Sequence, residues 1–410
     1  MIITNIKYLV NVREESKLLR GNELAHLPIL ENAFLKIKDS KIGDFGLMSD
    51  LKESDFKDEI YDAKQATVLP SWCDSHTHLV FAATRENEFI DKIKGLSYAE
   101  IAAKGGGILN SAKKLNETAE EILLELAQTR LNELVKLGTG AIEIKSGYGL
   151  SVEGELKMLR VIQQLKKQNS IPIKATFLGA HAFTENYKQD RNAYIDIIIH
   201  EMLPKIAKEN LADYIDVFCE QGFFTQEETE KICFAGTSYG LKSKIHANQL
   251  NISGGVQAGC NTNAISIDHL ETIGDEEIQL LSKTNSPIAT LLPGSSFFLN
   301  MQYAPARQLI ENNAAIALAS DFNPGSSPSG NMNFVIALAC IQLKILPEEA
   351  INAATINGAF AMELQNEVGS ITKGKRANLI FTKPISSISL LPYSFGTNLF
   401  DKIMINGNFI

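Results

Sequence analysis

The sequence predicts an α/β fold: a (β/α)8 barrel of the TIM type, with a small β-sandwich domain built from both chain ends. Three observations predict it. Short apolar or alternating runs recur through the middle of the 410-residue chain, with helical patterns between them. Both chain ends are instead rich in short strand patterns separated by charged turns. Five of the seven histidines (His76, His78, His181, His246 and His269) fall at the ends of the central runs, where a parallel barrel gathers its ligands.

Residues 1–65 read as strands over Met1–Val12, Ala33–Lys38 and Lys41–Phe45, with Lys38-Asp39-Ser40-Lys41 as a charged turn. From about Gly369 the pattern returns, over Gly374–Phe381 and Phe400–Asn406. Segments 1–65 and 369–410 are therefore expected to form one small domain, leaving 66–368 for the barrel. No low-complexity linker separates the two, so they are expected to pack together. Eight barrel strands are placed near Ala66–His76, Thr139–Lys145, Ile173–His181, Tyr214–Glu220, Leu241–His246, Ala264–His269, Pro287–Leu292 and Ala314–Asp321. Helices are expected over Glu117–Leu137, Val152–Lys167, Ala193–Ala207, Gln226–Ala235, Asp275–Lys283, Ala304–Asn312, Met332–Leu343 and Glu348–Met362. A doubly wound open sheet explains the same alternation but usually carries a Gly-rich phosphate loop after its first strand, and none is present. Gly105-Gly106-Gly107 lacks the Lys-Ser/Thr of such a loop and reads as a stop to a helix over Tyr98–Lys104, opening into a mobile loop.

Composition narrows the function classes. The chain is 45% hydrophobic and 21% charged, with a net charge of −9, which argues against a nucleic-acid partner. Five scattered cysteines read as reduced thiols of a cytoplasmic protein, not a disulfide framework. No signal-peptide core opens the chain, and the longest apolar stretch, Phe334–Leu346, is broken by Gln342 and Lys344. No membrane partner is expected. Nothing in the sequence sets the oligomeric state, and a homodimer is left open.

The segment Ser75-His76-Thr77-His78 ends the first predicted barrel strand. Alternate side chains of a strand share a face, so His76 and His78 can aim two imidazoles at one point. His246 and His269 end strands five and six, and Asp321 ends strand eight after the small and apolar run Ala314–Ser320. A carboxylate there is costly to bury unless paired, hydrogen-bonded or bound to metal; its other reading is a helix N-cap. Three imidazoles and one carboxylate around an ion with a position left for water make a hydrolytic site. His26 and His200 lie away from the strand ends and read as surface or packing residues.

This constellation, with its split β ends, resembles the amidohydrolase superfamily. Within it the whole length resembles the imidazolonepropionase family, through Leu69–His78 (LPSWCDSHTH), Tyr98–Ile108 (YAEIAAKGGGI), Glu143–Leu150 (EIKSGYGL), Thr176–His181 (TFLGAH) and Ser320–Pro328 (SDFNPGSSP). The resemblance implies hydrolysis of a small anionic cyclic amide, 4-imidazolone-5-propanoate, to N-formimidoyl-L-glutamate in histidine degradation. It implies one Zn2+ or Fe3+ ion per chain, with His76, His78, His246 and Asp321 as ligands. Asp321 then accepts a proton, and His269 holds the attacking water or the developing oxyanion; the other reading of His269 is a fourth imidazole ligand. Arg85, Tyr148, His181, Asn323, Gly325 and Ser326 align with the family's substrate contacts. A planar guanidinium such as Arg85 suits the propanoate tail, although a solvated surface arginine is the plainer reading. The glycines on both sides of Tyr148 let the backbone carry its ring into a mouth.

Gln249 departs from the pattern. Related deaminases, and some imidazolonepropionases, place a carboxylate three residues after the strand-five histidine, and glutamine cannot shuttle a proton by ionising. Gln249 is therefore expected to orient the ring by hydrogen bonds, with proton transfer moved to Asp321 and His269. The alternatives are another cyclic-amide amidohydrolase or a nucleobase deaminase, the latter weakened by Gln249. A two-metal dihydroorotase or hydantoinase would carry a modified lysine on strand four. That strand ends Val217-Phe218-Cys219-Glu220 without one; Lys145 ends strand two, poorly placed to bridge, and Glu220 keeps a second metal open. A silent ring-binding scaffold would want the pocket without the ligands.

Overall fold

The structure is a computed structural model that describes residues 1–52, 59–96, 100, 104 and 106–410. The helix expected over Tyr98–Lys104 and the first glycine of the triplet, Gly105, lie outside these residues, Glu100 and Lys104 apart. Eight strands form one parallel sheet: β6 (Trp72–Asp74), β7 (Thr139–Lys145), β8 (Ile173–Ala180), β9 (Tyr214–Cys219), β10 (Lys242–Ala247), β11 (Ser266–His269), β12 (Ile288–Leu291) and β13 (Ile316–Leu318), paired in chain order. Every residue of β7 and β9 is buried, as expected for parallel strands covered on both faces. The outer layer is helical. The helix Glu120–Lys136 buries Leu123, Ala127, Leu131 and Leu134, one stripe of its surface.

The barrel closes through the backbones of two predicted metal ligands. The Asp321 N–H donates to His76 O (3.0 Å) and the His78 N–H to Phe322 O (2.8 Å), joining the chain after β13 to the chain after β6. Closure therefore brings strand one and strand eight together at the point where His76, His78 and Asp321 must meet.

The chain ends form a second, separate sheet. Its strands are β1 (Ile2–Val10), β2 (Ile29–Lys38), β3 (Lys41–Leu47), β4 (Ile60–Asp62), β5 (Thr67–Pro70), β14 (Leu379–Thr382), β15 (Phe400–Ile405) and β16 (Asn408–Phe409). They run in the order β16-β15-β14-β5-β1-β2-β3, with β4 beside β1. The sheet doubles back on itself: Ala377 N–H donates to Ser40 O (3.0 Å) and Ile42 N–H to Lys375 O (2.8 Å). Ile3, Ile6, Leu35, Val68, Leu379 and Phe381 fill the space enclosed.

The structure corrects the sequence reading in four places, one of them the helix expected over Ala193–Ala207, which is two short α-helices, Arg191–Ile197 and Leu203–Glu209, around a π-helical turn over Ile198–Met202. The run Ala66–His76 is not one barrel strand: β5 pairs with β1 and β14 in the chain-end sheet, and only β6 enters the barrel. The change of sheet occurs at Ser71, whose N–H donates to Asn378 O (3.0 Å), while the next N–H, of Trp72, donates to Gly138 O (2.8 Å). A continuous apolar run carries no mark of which sheet each half joins. The glycines Gly106 and Gly107 do not open a loop; they start the helix Gly107–Glu117, with Gly107 at φ +82° and its N–H donating to Glu88 Oε1 (3.0 Å). The stretch Glu348–Met362 is three pieces, with a π-helical turn over Ala353–Asn357 between two short α-helices. Among the described residues no helix is long and apolar enough to cross a membrane.

Asn378 bridges the two sheets at this crossing, donating to Gly140 O (2.9 Å) and accepting from the Asn406 N–H (2.8 Å). A Cβ on Gly140 would lie 1.8 Å from Ser71 Oγ and 3.3 Å from Asn378 Cβ. Gly140→Ala is expected to cost roughly 1–3 kcal/mol through overpacking; an unchanged midpoint in urea denaturation would contradict this close approach.

Candidate metal centre and active site

Four donor atoms converge at the carboxyl end of the barrel. His76 Nε2 lies 3.5 Å from Asp321 Oδ1, His78 Nε2 lies 3.6 Å from the same oxygen, and the Nε2 atoms of His78 and His246 are 3.4 Å apart. All four residues are buried, and His76 Nε2 has no hydrogen-bond partner. A tetrahedral ion with bonds of about 2.1 Å needs donors about 3.4 Å apart, and these three spacings match that; His76, His78 and Asp321 form one compact donor group, with His246 joined to it through His78. Burial, reinforced by Lys145 and the neighbouring imidazoles, holds His76 well below its usual pKa; burial, with His181 and His246, does the same for His78. Both are neutral, the form that ligates. The helix-cap reading of Asp321 fails: the next helix, Met332–Ile341, is capped by Asn331.

The orientation of these rings comes from carboxylates inside the barrel. His76 Nδ1 donates to Asp268 Oδ2 (2.6 Å), and His246 Nδ1 lies 2.9 Å from Asp216 Oδ2. Such partners fix the tautomer and leave Nε2 free for an ion. Lys145 joins the two carboxylates, with Nζ 2.8 Å from Asp216 Oδ2 and 3.6 Å from Asp268 Oδ2, and it also reaches Glu143 Oε1 (2.6 Å). Lys244 pairs with the other oxygen of Glu143 and donates to Ser75 O (3.1 Å). All these side chains are fully buried. Burial opposes the charge on Lys145, but Asp216, Glu143 and Asp268 outweigh it and raise its pKa. Burial likewise works against Asp216, and His246 and Lys145 hold it well below the carboxylate range.

His269 stands beside the donor cluster, its ring 5.7 Å from His76 and 5.4 Å from His246. Nδ1 lies 3.3 Å from Glu271 Oε1, an oxygen that also accepts from Ser296 Oγ (3.2 Å). Burial disfavours its charged form, yet Glu271, Asp321 and Asp268 raise its pKa to about 9. Burial also raises Asp321. His269 and Asp321 both have left-handed backbones, φ +86° and +53°, a strained conformation for such residues that the barrel mouth imposes. The ring of His269 belongs to a second donor group with His76 and His246, so geometry alone permits it as a ligand.

Above the cluster opens a cavity of about 680 Å³, lined among others by Arg85, Tyr148, His181, Gln249, Asn323, Gly325 and Ser326. All seven sequence-derived substrate residues thus come together. His181 stacks on His78, at 5.4 Å and 18°, with Nδ1 donating to Gly147 O (2.9 Å); burial, with His246 next, lowers its pKa to about 3. A Cβ on Gly147 would meet that nitrogen at 2.8 Å, which explains the glycine before Tyr148. Ser326 Oγ lies 3.4 Å from Asp321 Oδ2, and Asn323 Oδ1 accepts the N–H groups of Gly325 (2.8 Å) and Ser326 (2.7 Å). Gln249 Nε2 is 3.5 Å from Ser295 Oγ. Arg85 is held by Glu88, Nε at 2.8 Å and Nη2 at 2.6 Å from Oε2, and Gly325 leaves room for the guanidinium, since a Cβ there would lie 2.3 Å from Nη1. Glu220 is no metal bridge: its carboxylate accepts the N–H groups of Gln221 and Leu250, each at 2.8 Å.

Residues 67–410 match the amidohydrolase family. The chain belongs to that family. It is 58% identical over 411 residues to the imidazolonepropionase of Flavobacterium johnsoniae, spanning 100% of this chain and 99% of that one. It is 54% identical to the imidazolonepropionase of Christiangramia forsetii, over 100% of both. These full-length relatives place it among the imidazolonepropionases of the family. The same barrel occurs in a solved structure of an adenosine deaminase from Xanthomonas campestris with bound zinc, at TM-score 0.70 and 15% identity, covering 100% of this chain and 92% of that chain.

Sequence reasoning missed the layer beneath the ligands. Glu143, Lys145, Asp216, Lys244 and Asp268 are charged positions inside otherwise apolar strands, and Lys244 precedes His246 by the strand period of two. That pattern was the available signal. Also missed were Glu271 and Glu155, whose carboxylate accepts the N–H groups of Gly147 (3.0 Å), Gly149 (2.7 Å) and Leu150 (2.9 Å) and so sets the loop that carries Tyr148. Asp268→Ala, by freeing the His76 ring, is expected to weaken metal affinity about 10–100-fold. Chelator competition measures it; unchanged affinity would remove Asp268 from this role.

Proposed function

We propose that the chain hydrolyses 4-imidazolone-5-propanoate to N-formimidoyl-L-glutamate, a step of histidine degradation, using one zinc or iron ion held by His76, His78, His246 and Asp321. The observation that supports this reading best is the meeting of two chemistries: a buried cluster of metal donors, in contact with the cavity lining through His181 and Ser326, and cations, Arg85 among them, in the cavity wall. The name borne by relatives more than half identical over the full length agrees with it.

When bound, the ion supplies Lewis acidity that makes water a nucleophile near neutral pH. Water adds to the ring carbonyl carbon, the bond from that carbon to the ring nitrogen breaks, and the carbon becomes the α-carboxylate of the product. The departing nitrogen needs a proton, and the attacking water must lose one. Asp321 accepts the proton from water, and its buried carboxyl passes it on. His269, fixed through Nδ1 by Glu271, presents its other nitrogen to the reacting oxygen. His181, neutral and held by Gly147, supplies a second ring contact. Gln249 orients the ring beside Ser295. The free thiols of all five cysteines support a cytoplasmic setting.

A nucleobase deaminase shares the barrel but gains nothing from a cationic wall, and Gln249 lacks the ionisable carboxyl that a deaminase shuttle needs. The test is loss of imidazolone absorbance in an assay coupled to urocanase. No turnover by metal-loaded protein would overturn the reading. Asp321→Ala is expected to abolish turnover with an unchanged far-ultraviolet circular dichroism spectrum; full activity in that variant would remove Asp321 from the ligand set. Gln249→Ala should lose about 1–3 kcal/mol of transition-state binding, and His269→Asn should lose more of kcat. The reverse order would assign the proton to Gln249's side of the ring.

A further inference from the structure

Lys92 lies on the helix Glu86–Ile93, two turns from Arg85, and lines the same cavity. Its Nζ donates to Gly325 O (3.1 Å) and sits 5.4 Å from the ring centroid of Phe298. Arg85 and Glu88 form a close pair at the side of this cavity, and Glu88 is further anchored by the Gly107 N–H. An arginine whose fork is already bound to a carboxylate contributes no net charge to its surroundings. Among the described residues that line the cavity there is no carboxylate, and Lys92 forms no ion pair within 4.0 Å with any described residue; Glu88, already bound by Arg85, acts on it only at longer range. Its ammonium is therefore the uncompensated charge of the wall.

We infer that Lys92 is a specificity-determining residue, whose ammonium selects ring substrates that carry a carboxylate tail. Arg85 offers that tail a planar set of donors, but the Arg85–Glu88 pair is neutral, and without Lys92 an entering carboxylate would meet Glu88 behind Arg85 with no net attraction. With Lys92 the wall carries one positive charge, which one carboxylate cancels. The hydrogen bond to Gly325 O (3.1 Å) keeps this charge on the loop that follows Asp321, so the tail is read at a set place relative to the reacting ring. This inference rests on the proposed reaction for the identity of the ring, and on the cavity's charge for the tail.

The test uses two stable ring analogues, hydantoin-5-propanoate and its propanamide, with binding to the metal-loaded protein followed by calorimetry. The native chain is expected to bind the propanoate at least about tenfold more tightly than the amide. Lys92→Met should bring the two within about threefold of each other, and Lys92→Arg should keep the preference. If Lys92 only tethers the Gly325 loop, Lys92→Met weakens both analogues alike and the preference survives, which overturns the inference. Equal binding of the two by the native chain also overturns it. Calorimetry needs no turnover, so an inactive but discriminating protein strikes at the proposed reaction and leaves the role of Lys92 standing.

Discussion

The ion pairs between Lys145 and its carboxylates are the constraint on which the rest of the site depends. Five charged side chains from β7, β9, β10 and β11 are sealed inside the barrel under the metal donors. Isolated charges there would be expelled or neutralised, because desolvation alone costs several kcal/mol for each. Their mutual contacts offset that cost. Asp268 can then serve as a fixed acceptor for His76, whose other nitrogen faces Asp321, and Asp216 holds its charge beside His246, whose other nitrogen faces His78. A neutral amide at either position would still accept a hydrogen bond, but it would leave Lys145 with too little negative charge around it. The metal site is thus supported from below by electrostatics, not by packing alone.

Above that layer the site is shaped by backbone. Barrel closure passes through the main chains of His76, His78 and Asp321, so the geometry that completes the sheet also brings three candidate donors together. The left-handed backbones of His269 and Asp321 turn the chain sharply at the strand ends. Buried carboxylates then hold the loops that follow: Glu155 binds the loop of Tyr148, and Glu220 binds the loop after Gln249. These loops form the wall of a cavity that presents a cationic face, beside the donors that His181 and Ser326 touch. The chain-end sheet contributes no lining residue to this cavity, and it meets the barrel at Ser71, Gly140 and Asn378, near the start of the first barrel strand.

Much of this was legible in the sequence. Strand and helix alternation identified all eight barrel strands, because burial on both faces of a parallel strand leaves a continuous apolar run. The convergence of the strand-end histidines with Asp321 was legible because a titratable side chain at the end of such a run needs a reason to be there. Lys145 shows the limit. Its position at the end of β7 is plain in the sequence, but two of its three carboxylate partners lie on β9 and β11, far away in sequence, and only Glu143 is on its own strand. Glu271, two residues from His269, carries no such signal in the sequence, because a carboxylate in a loop is usually solvated.

What the sequence determined by itself was periodicity, the chemical identity of the donors and the order in which they arrive along the chain. Those are local properties, set by side-chain type and by the repeat of a strand or helix. The tertiary structure decided where the first apolar run changes sheet, which carboxylate faces which imidazole, and that Arg85 meets Glu88 before any substrate. Each of those is a choice among partners distant in sequence. Only the closed barrel, which excludes water and leaves every buried charge a single set of neighbours, makes that choice.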